Sequence, residues 1–377
     1  MISRPPLRDG QFASLGRRRK VATPTIVMVT DNLNRGGLPR VVLNLCQVLI
    51  DEGLNVAIVI DGPVDPSMKP PQGASVIGER SRRHFLWPLT LFIRLTRLWI
   101  NGPVQLVHSH QRGVSLVSTA WGRLFRVRSV EHVHNVIDAG ATRKLSYRAD
   151  AIVACSQTVA AHVRERYPWT EARLHVVTNR VDDQSGTAVR TLSPDPADSL
   201  LKIVTLGRLE PEKRPLFAVR LCQALGDHGL NVSFHWFGGG SLQQEVIDAA
   251  RVAQVKNFHV HGHSDDPARA LASADVFLLC SEREGLPLAL LEALSLSLPV
   301  VVPDVGGCRE AVRDGQNGIL FHPGDSASSV AALLAGFLKR VPLDRAGERS
   351  REVFVNNFAL ESLAGDLMRV YASFPAR

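Results

Sequence analysis

The sequence predicts an α/β protein built as two αβα sandwiches that face each other across a cleft. Three observations carry this reading. Short apolar segments alternate with helix-periodic segments along most of the chain. The alternation lapses over 183–199, DQSGTAVRTLSPDPADS, and then restarts. The 377 residues exceed what a single domain usually needs.

In the first half, TIVMVT at 25–30 reads as a strand leading through a polar glycine turn into an apolar helix at about 38–50. NVAIVI at 55–60 and VQLVHS at 104–109 are further strands. A helix through about 114–124 precedes the strands at 127–133 and 150–155. Ser156 is placed as the N-cap of a helix reaching about 166, and LHVVTN at 174–179 closes the series. In the second half, LKIVTLG at 201–207 is a strand and Pro215 opens a helix to about 225. NVSFHWF, a glycine turn and a helix from Ser241 follow. NFHVHG, ADVFLLC and LPVVVPD read as strands, the last two separated by a helix from Pro287 to Leu296. NGILFHP is expected at a sheet edge, with helices over 326–340 and 347–372. Nearly continuous apolar strands of this kind belong to parallel sheets covered on both faces.

The domains expected are a disordered basic tail over 1–22, a first domain over 23–182, a linker over 183–199 and a second domain over 200–355. A closing helix over 356–377 is expected to cross back to the first domain. Apolar residues make up 45% of the chain, which excludes a wholly disordered or collagen-like protein. The five cysteines, at 46, 155, 222, 280 and 308, show no CxxC spacing. Cys46 and Cys155 read as small core residues, and the set fits a reducing compartment, with no disulfide frame or structural zinc. Residues 1–190 carry 26 basic and 14 acidic side chains, a net of +12, and the remainder a net of −4. The first half is therefore suited to an anionic partner, such as a phospholipid surface or a phosphorylated substrate. The basic residues form no arm interleaved with aromatics, so nucleic acid is not expected. The apolar stretch Phe85–Ile100, FLWPLTLFIRLTRLWI, is too short to span a membrane and is interrupted by Arg94 and Arg97. It reads either as a helix packed on the sheet or as an amphipathic surface that dips into an anionic leaflet.

Several turns fall at strand ends, where ligands of open α/β sheets collect. Gly36 and Gly37 follow the first strand and allow close backbone approach before a helix start that can offer NH groups to an anion. The GxGxxG and GxxxxGK[ST] patterns are both absent, against a dinucleotide or P-loop reading. Gly207-Arg208 ends the first strand of the second half, with Lys213 five residues on. Together they offer a guanidinium fork and a mobile ammonium to a diphosphate. Gly238 and Gly240 form a backbone-lined turn. Glu284 and Glu292 lie in SEREGLPLALLEA, one in a loop and one on a helix among Leu and Ala. A carboxylate in such apolar surroundings needs a partner or a cleft. Gly306 and Gly307 open the next helix. Histidines alternate at 108 and 110, at 132 and 134, and at 259, 261 and 263. Two such residues on one strand face can bind a metal, but they are read here as strand-end polar residues.

With these elements the chain resembles the retaining nucleotide-sugar-dependent glycosyltransferases of family 4, which have the GT-B architecture of two Rossmann-like domains. The matching elements run from about residue 25 to 370. They are the Gly36-Gly37 pair, the GR-x-x-x-x-K element at Gly207, Arg208 and Lys213, and the turn at Gly238 and Gly240. The E-x7-E element falls at Glu284 and Glu292, and the glycine-rich element at Gly306, Gly307, Glu310, Gly315 and Gly318. The chain departs from the pattern at Asn179-Arg180-Val181-Asp182, at Cys280 and at Glu131-His132-Val133-His134-Asn135.

The resemblance implies that the first domain holds a glycan or lipid-linked acceptor and the second a nucleoside-diphosphate sugar, with the paired glycines lining the donor site. Arg208 and Lys213 would bind the diphosphate and Glu292 the ribose. Glu284 would face the transferred sugar, with His132 near its reacting side. No metal or other cofactor is expected. The implied reaction is transfer with retention, in bacterial cell-surface polysaccharide, lipopolysaccharide or glycolipid synthesis, at the cytoplasmic face of the membrane. A sugar-nucleotide epimerase or a non-catalytic nucleotide-sugar-binding protein on the same scaffold is the alternative. The donor, the acceptor and the oligomeric state stay open.

Overall fold

The computed structural model describes residues 25–78, 85–135, 145–187 and 200–374. The basic tail and the linker residues from 188 to 199 lie outside the described residues.

The first half runs β1 (Thr25–Thr30), α1 (Gly37–Asp51), β2 (Asn55–Ile60), β3 (Ser75–Ile77), α2 (Trp87–Asn101), β4 (Val104–Ser109), α3 (Arg112–Phe125), β5 (Arg128–Val133), β6 (Ala151–Ala154), α4 (Gln157–Arg166) and β7 (Leu174–Val176). The second half runs β8 (Leu201–Leu206), α5 (Pro215–Asp227), β9 (Val232–Phe237), α6 (Gln243–Val252), β10 (Phe258–Val260), α7 (Pro267–Ala272), β11 (Val276–Leu278), α8 (Leu288–Ser295), β12 (Val300–Pro303), α9 (Cys308–Ala311), β13 (Gly318–Phe321) and α10 (Ala327–Arg340). Two helices close the chain, α11 (Leu343–Asn357) and α12 (Leu363–Ala372).

The strands form a seven-stranded sheet in the order β3-β2-β1-β4-β5-β6-β7 and a six-stranded sheet in the order β10-β9-β8-β11-β12-β13. All pairs are parallel. Both orders reverse direction at their first strand, so each sheet opens a crevice there, between β1 and β4 and between β8 and β11. Side-chain alternation explains why these strands are apolar throughout. Ile26 and Met28 enter one core while Val27 and Val29 enter another, on the opposite face under α2 and α3. The larger core runs without a break from β1 and α1 to α8 and α12, joining the two halves, and a further core fills the far side of the second sheet.

Ser156 caps α4 as expected, its Oγ accepting from the Val159 amide at 3.1 Å. The single helix expected over 347–372 is instead two. Phe358 is buried, and its carbonyl accepts from the Val181 amide at 3.1 Å, while Ala359 bridges to Val181. That pairing takes the Ala359 backbone into an extended conformation, φ −70° and ψ 137°, which a continuing helix cannot adopt. Beyond the break α12 packs on α1, in the first half.

The Phe85–Ile100 stretch forms α2. Leu91 and Leu95 are buried against the first sheet. Arg94, which the amphipathic reading would have set at a lipid surface, points inward, as the reading of a helix packed on the sheet allows. Its Nη1 donates to the Ile60 carbonyl at 2.8 Å and lies 3.7 Å from the buried Asp61 carboxylate.

Candidate active site

Loops at the two crevices carry the residues that matter. After β8, the Gly207–Lys213 loop is braced by the turn after β9. Trp236 Nε1 donates to the Gly207 carbonyl at 2.8 Å, and the Leu209 amide to the Gly239 carbonyl at 2.9 Å. Gly238 has φ 137°, and a Cβ there would meet the Gly207 carbonyl oxygen at 1.9 Å. A Cβ on Gly240 would likewise collide with the Leu209 backbone, at 2.4 Å from its carbonyl oxygen. These two glycines therefore shape the Gly207–Lys213 loop by letting one turn lie on another.

Lys213 is delivered from this loop to the end of β11. Its Nζ donates to Glu284 Oε1 at 2.6 Å, and both side chains are largely buried. Glu284 is held from behind by Gly306 and Gly307. Gly306 has φ 51°, a Cβ on it would come within 1.8 Å of the Glu284 carbonyl oxygen, and the Gly307 amide donates to the Gly285 carbonyl. Arg208 stands apart from this pair. Its guanidinium is 57% exposed and donates to Glu212 at 2.6 Å, so it sits at the rim of the loop.

Glu292 lies on α8, 4% exposed, and its carboxyl is raised above the ordinary range by burial. Arg40 of α1, in the other half, places Nη1 2.7 Å from Glu292 Oε1. The two carboxylates of the E-x7-E element thus have separate cationic partners. Arg40 carried no signal in the sequence, because its partner is 252 positions away and on the opposite sheet's helix. Gly36, at the N-cap of α1, and Gly37 lie on the first-half side, where Gly37 approaches Leu288 at the start of α8.

The halves meet closely at this point. The Gly285 backbone lies directly against the His134 carbonyl, leaving no room for a side chain. Asn179 Nδ2 donates to the Leu286 carbonyl at 2.8 Å. Glu310 accepts from the amides of Gln157 at 3.0 Å and Thr158 at 2.9 Å, satisfying free NH groups at the start of α4. A cavity of about 390 Å³ opens beside that contact, lined by Gln157, Thr158, Asp304, Gly306 and Arg309.

His132 ends β5 within a stack of four histidines. Its ring centroid is 4.3 Å from that of His134 and 5.4 Å from that of His108, and His108 and His110 stack at 4.8 Å. Burial holds the rings neutral: it pulls His108 and His134 down to about 3 and His110 and His132 well below the usual value. The alternate spacing in the sequence placed each pair on one strand face. It did not show that parallel pairing would set the two pairs side by side.

Two family descriptions match the chain. Residues 35–185 match "Glycosyltransferase Family 4", and residues 201–339 match "Glycosyl transferases group 1". Glycogen synthase of Mycobacterium tuberculosis is 25% identical over 89% of this chain and 91% of its own length. The Escherichia coli UDP-Gal:alpha-D-GlcNAc-diphosphoundecaprenol alpha-1,3-galactosyltransferase is 24% identical over 89% of this chain and 93% of its own. Among solved structures, Anabaena HepE in complex with UDP-glucose superposes with a TM-score of 0.75 at 17% identity, covering 93% of this chain and 99% of that one. Sucrose-phosphate synthase from Thermosynechococcus elongatus gives 0.74 at 17% identity, covering 93% and 98%. These structures share the fold of two facing parallel-sheet domains.

Proposed function

Since the chain belongs to the glycosyltransferases that join a family 4 domain to a group 1 domain, we propose that it transfers a sugar from a nucleoside-diphosphate sugar to an acceptor hydroxyl with retention of anomeric configuration. The observation that carries the reading is the Lys213–Glu284 pair at the carboxyl ends of β8 and β11. Breaking a sugar–phosphate bond requires positive charge at the departing diphosphate and protection of the electron-poor sugar from water. Lys213 supplies the charge, Glu284 orients it and accepts from sugar hydroxyls, and Arg208 swings in from the rim. Glu292 receives the ribose diol once Arg40 yields it. Cations rather than a metal hold the diphosphate. The donor C1–O bond breaks with its electron pair leaving on the diphosphate. The acceptor oxygen bonds to C1 on the same face, and its proton passes to the leaving phosphate oxygen. His132 lies on the acceptor side, and the Gly285–His134 contact supports exclusion of water when the halves close.

The acceptor is a glycan or a lipid-linked sugar. The described residues contain no helix long and apolar enough to cross a membrane, and we infer peripheral docking at an anionic surface through α2. Its outer side carries Leu86, Leu89, Ile93 and Ile100, all exposed, beside Arg97.

A turnover screen with uridine, guanosine and adenosine diphosphate sugars identifies the donor, and the anomeric coupling in the product's NMR spectrum reads the stereochemistry. Retention is expected. An inverted product would overturn the stereochemical assignment, and an epimerised donor with no acceptor product would overturn transfer itself.

A further inference from the structure

We propose that His108, His110 and His132 form a binding site for a divalent ion of the zinc type, separate from the diphosphate. Parallel pairing of β4 with β5 aligns His108 with Val130, so the histidines of the two strands project from one sheet face as neighbouring pairs. One nitrogen from each of the three rings lies within 4.8 Å of the others. A tetrahedral zinc with Zn–N bonds of about 2.0–2.1 Å needs its nitrogens roughly 3.4 Å apart, so binding would draw the three rings together.

The hydrogen bonds already made leave at least one nitrogen over on each of the three rings. Tyr371 Oη, from α12, lies 2.8 Å from His108 Nδ1, and His134 Nε2 lies 3.1 Å from His110 Nδ1. Each contact occupies one edge of a ring and leaves Nε2 of His108 and of His110 buried without a hydrogen-bond partner. Both nitrogens of His132 are in the same state. Buried polar atoms without partners are costly, and a metal ion satisfies three of them at once. An outer partner on the far nitrogen is the usual support of a metal-bound histidine, because it sets tautomer and ring orientation. Tyr371 and His134 stand in that position. Burial also keeps the imidazoles in the neutral form that binds metal. Three neutral imidazoles suit zinc, cobalt, nickel or copper and not magnesium or calcium.

The second histidine group, on β9 and after β10, lacks these properties. His235 is bonded at both nitrogens, to Ser233 Oγ and to His261 Nε2, each at 2.8 Å. It therefore serves as the internal control.

The test uses the full chain without an affinity tag, stripped with a chelator and checked for folding by circular dichroism. Zn²⁺ is titrated in competition with a chromophoric chelator, and Co²⁺ is added separately to read the visible absorption of a nitrogen-bound ion. The expected result is one Zn²⁺ per chain, a Co²⁺ spectrum, and a rise in Tm on metal addition. H110Q should weaken Zn²⁺ binding by more than about 100-fold, and Y371F by roughly 10- to 100-fold while leaving the three ligands in place. H261Q should bind as the wild type does. If H110Q fails to fold, H108N and Y371F carry the same comparison. Absence of stoichiometric binding, wild-type affinity in H110Q or its substitute H108N, or loss of binding in H261Q would overturn the site.

Discussion

Lys213 and Glu284 hold each other at 2.6 Å inside the protein, and removing either leaves a largely buried charge without its partner. K213A should lower turnover by about 10²-fold or more, in line with the loss of one oriented electrostatic donor. R208A tests whether the rim arginine reaches the diphosphate, and a comparable loss is expected. Wild-type turnover in both variants would remove the diphosphate assignment. The two glutamates should separate by readout. E292A should chiefly weaken binding of the free nucleoside diphosphate, because its carboxylate is assigned to the ribose. E284A should chiefly slow transfer, and calorimetric titration with diphosphate and with intact donor distinguishes the two. The spacing of these glutamates and their apolar setting were legible in the sequence. Their partners were not, because Arg40 and Lys213 reach them from distant segments.

At the scale of elements, the glycine turns act as spacers that let one loop lie on another. Gly306 shows this most directly, since any Cβ would collide with the Glu284 carbonyl and the backbone sits in the left-handed region. G306A should displace the Glu284 loop, lowering Tm and turnover together; unchanged values of both would show that the loop is not held there. Helix α2 presents a different case, with one side buried in the first sheet's core and the other carrying Leu86, Leu89, Ile93 and Ile100. Replacing Leu89 and Ile93 by Gln should leave Tm nearly unchanged and reduce co-sedimentation with anionic vesicles. Equal sedimentation of wild type and variant would make that side an ordinary exposed surface. The apolar pattern of this helix allowed both orientations of its arginines. The Asp61 carboxylate and the Ile60 carbonyl turned Arg94 inward, because a guanidinium there bonds the carbonyl and sets its charge beside a buried carboxylate.

Across the whole molecule, contacts between the halves hold the cleft residues together. Arg351 of α11 binds both oxygens of Asp183, in the segment leaving the first domain, and also donates to the Ser295 carbonyl at 2.9 Å. This pairing holds the Asp183 carboxyl below its ordinary value of 3.8. A depressed carboxyl contributes stability that is fully present above the unfolded value and is lost as pH falls through the folded one. D183N should therefore have a lower Tm than wild type near neutral pH, and the difference should narrow as pH falls from about 5 to about 2.5. A difference that stays constant across that range would mean the carboxylate charge is not the source.

All strands but the short, largely exposed β3, and most helices, followed from local pattern, since short apolar runs bounded by turns and alternating with helix-periodic segments are the mark of a covered parallel sheet. The loops of the candidate site were equally readable, because glycines, cations and carboxylates gather there at strand ends, where ligands of open α/β sheets collect. Three features depended on long-range packing. The helix expected over 347–372 broke at Phe358, because Val181 claims its carbonyl. The two halves came to share one core. The histidine pairs of β4 and β5 joined into one buried stack with Tyr371 at its edge. Each arises where residues far apart in the chain compete for, or complete, the same buried hydrogen bonds and apolar surface. A local pattern records a residue's own preference for helix, strand or burial, and it carries no record of which distant partner will satisfy it.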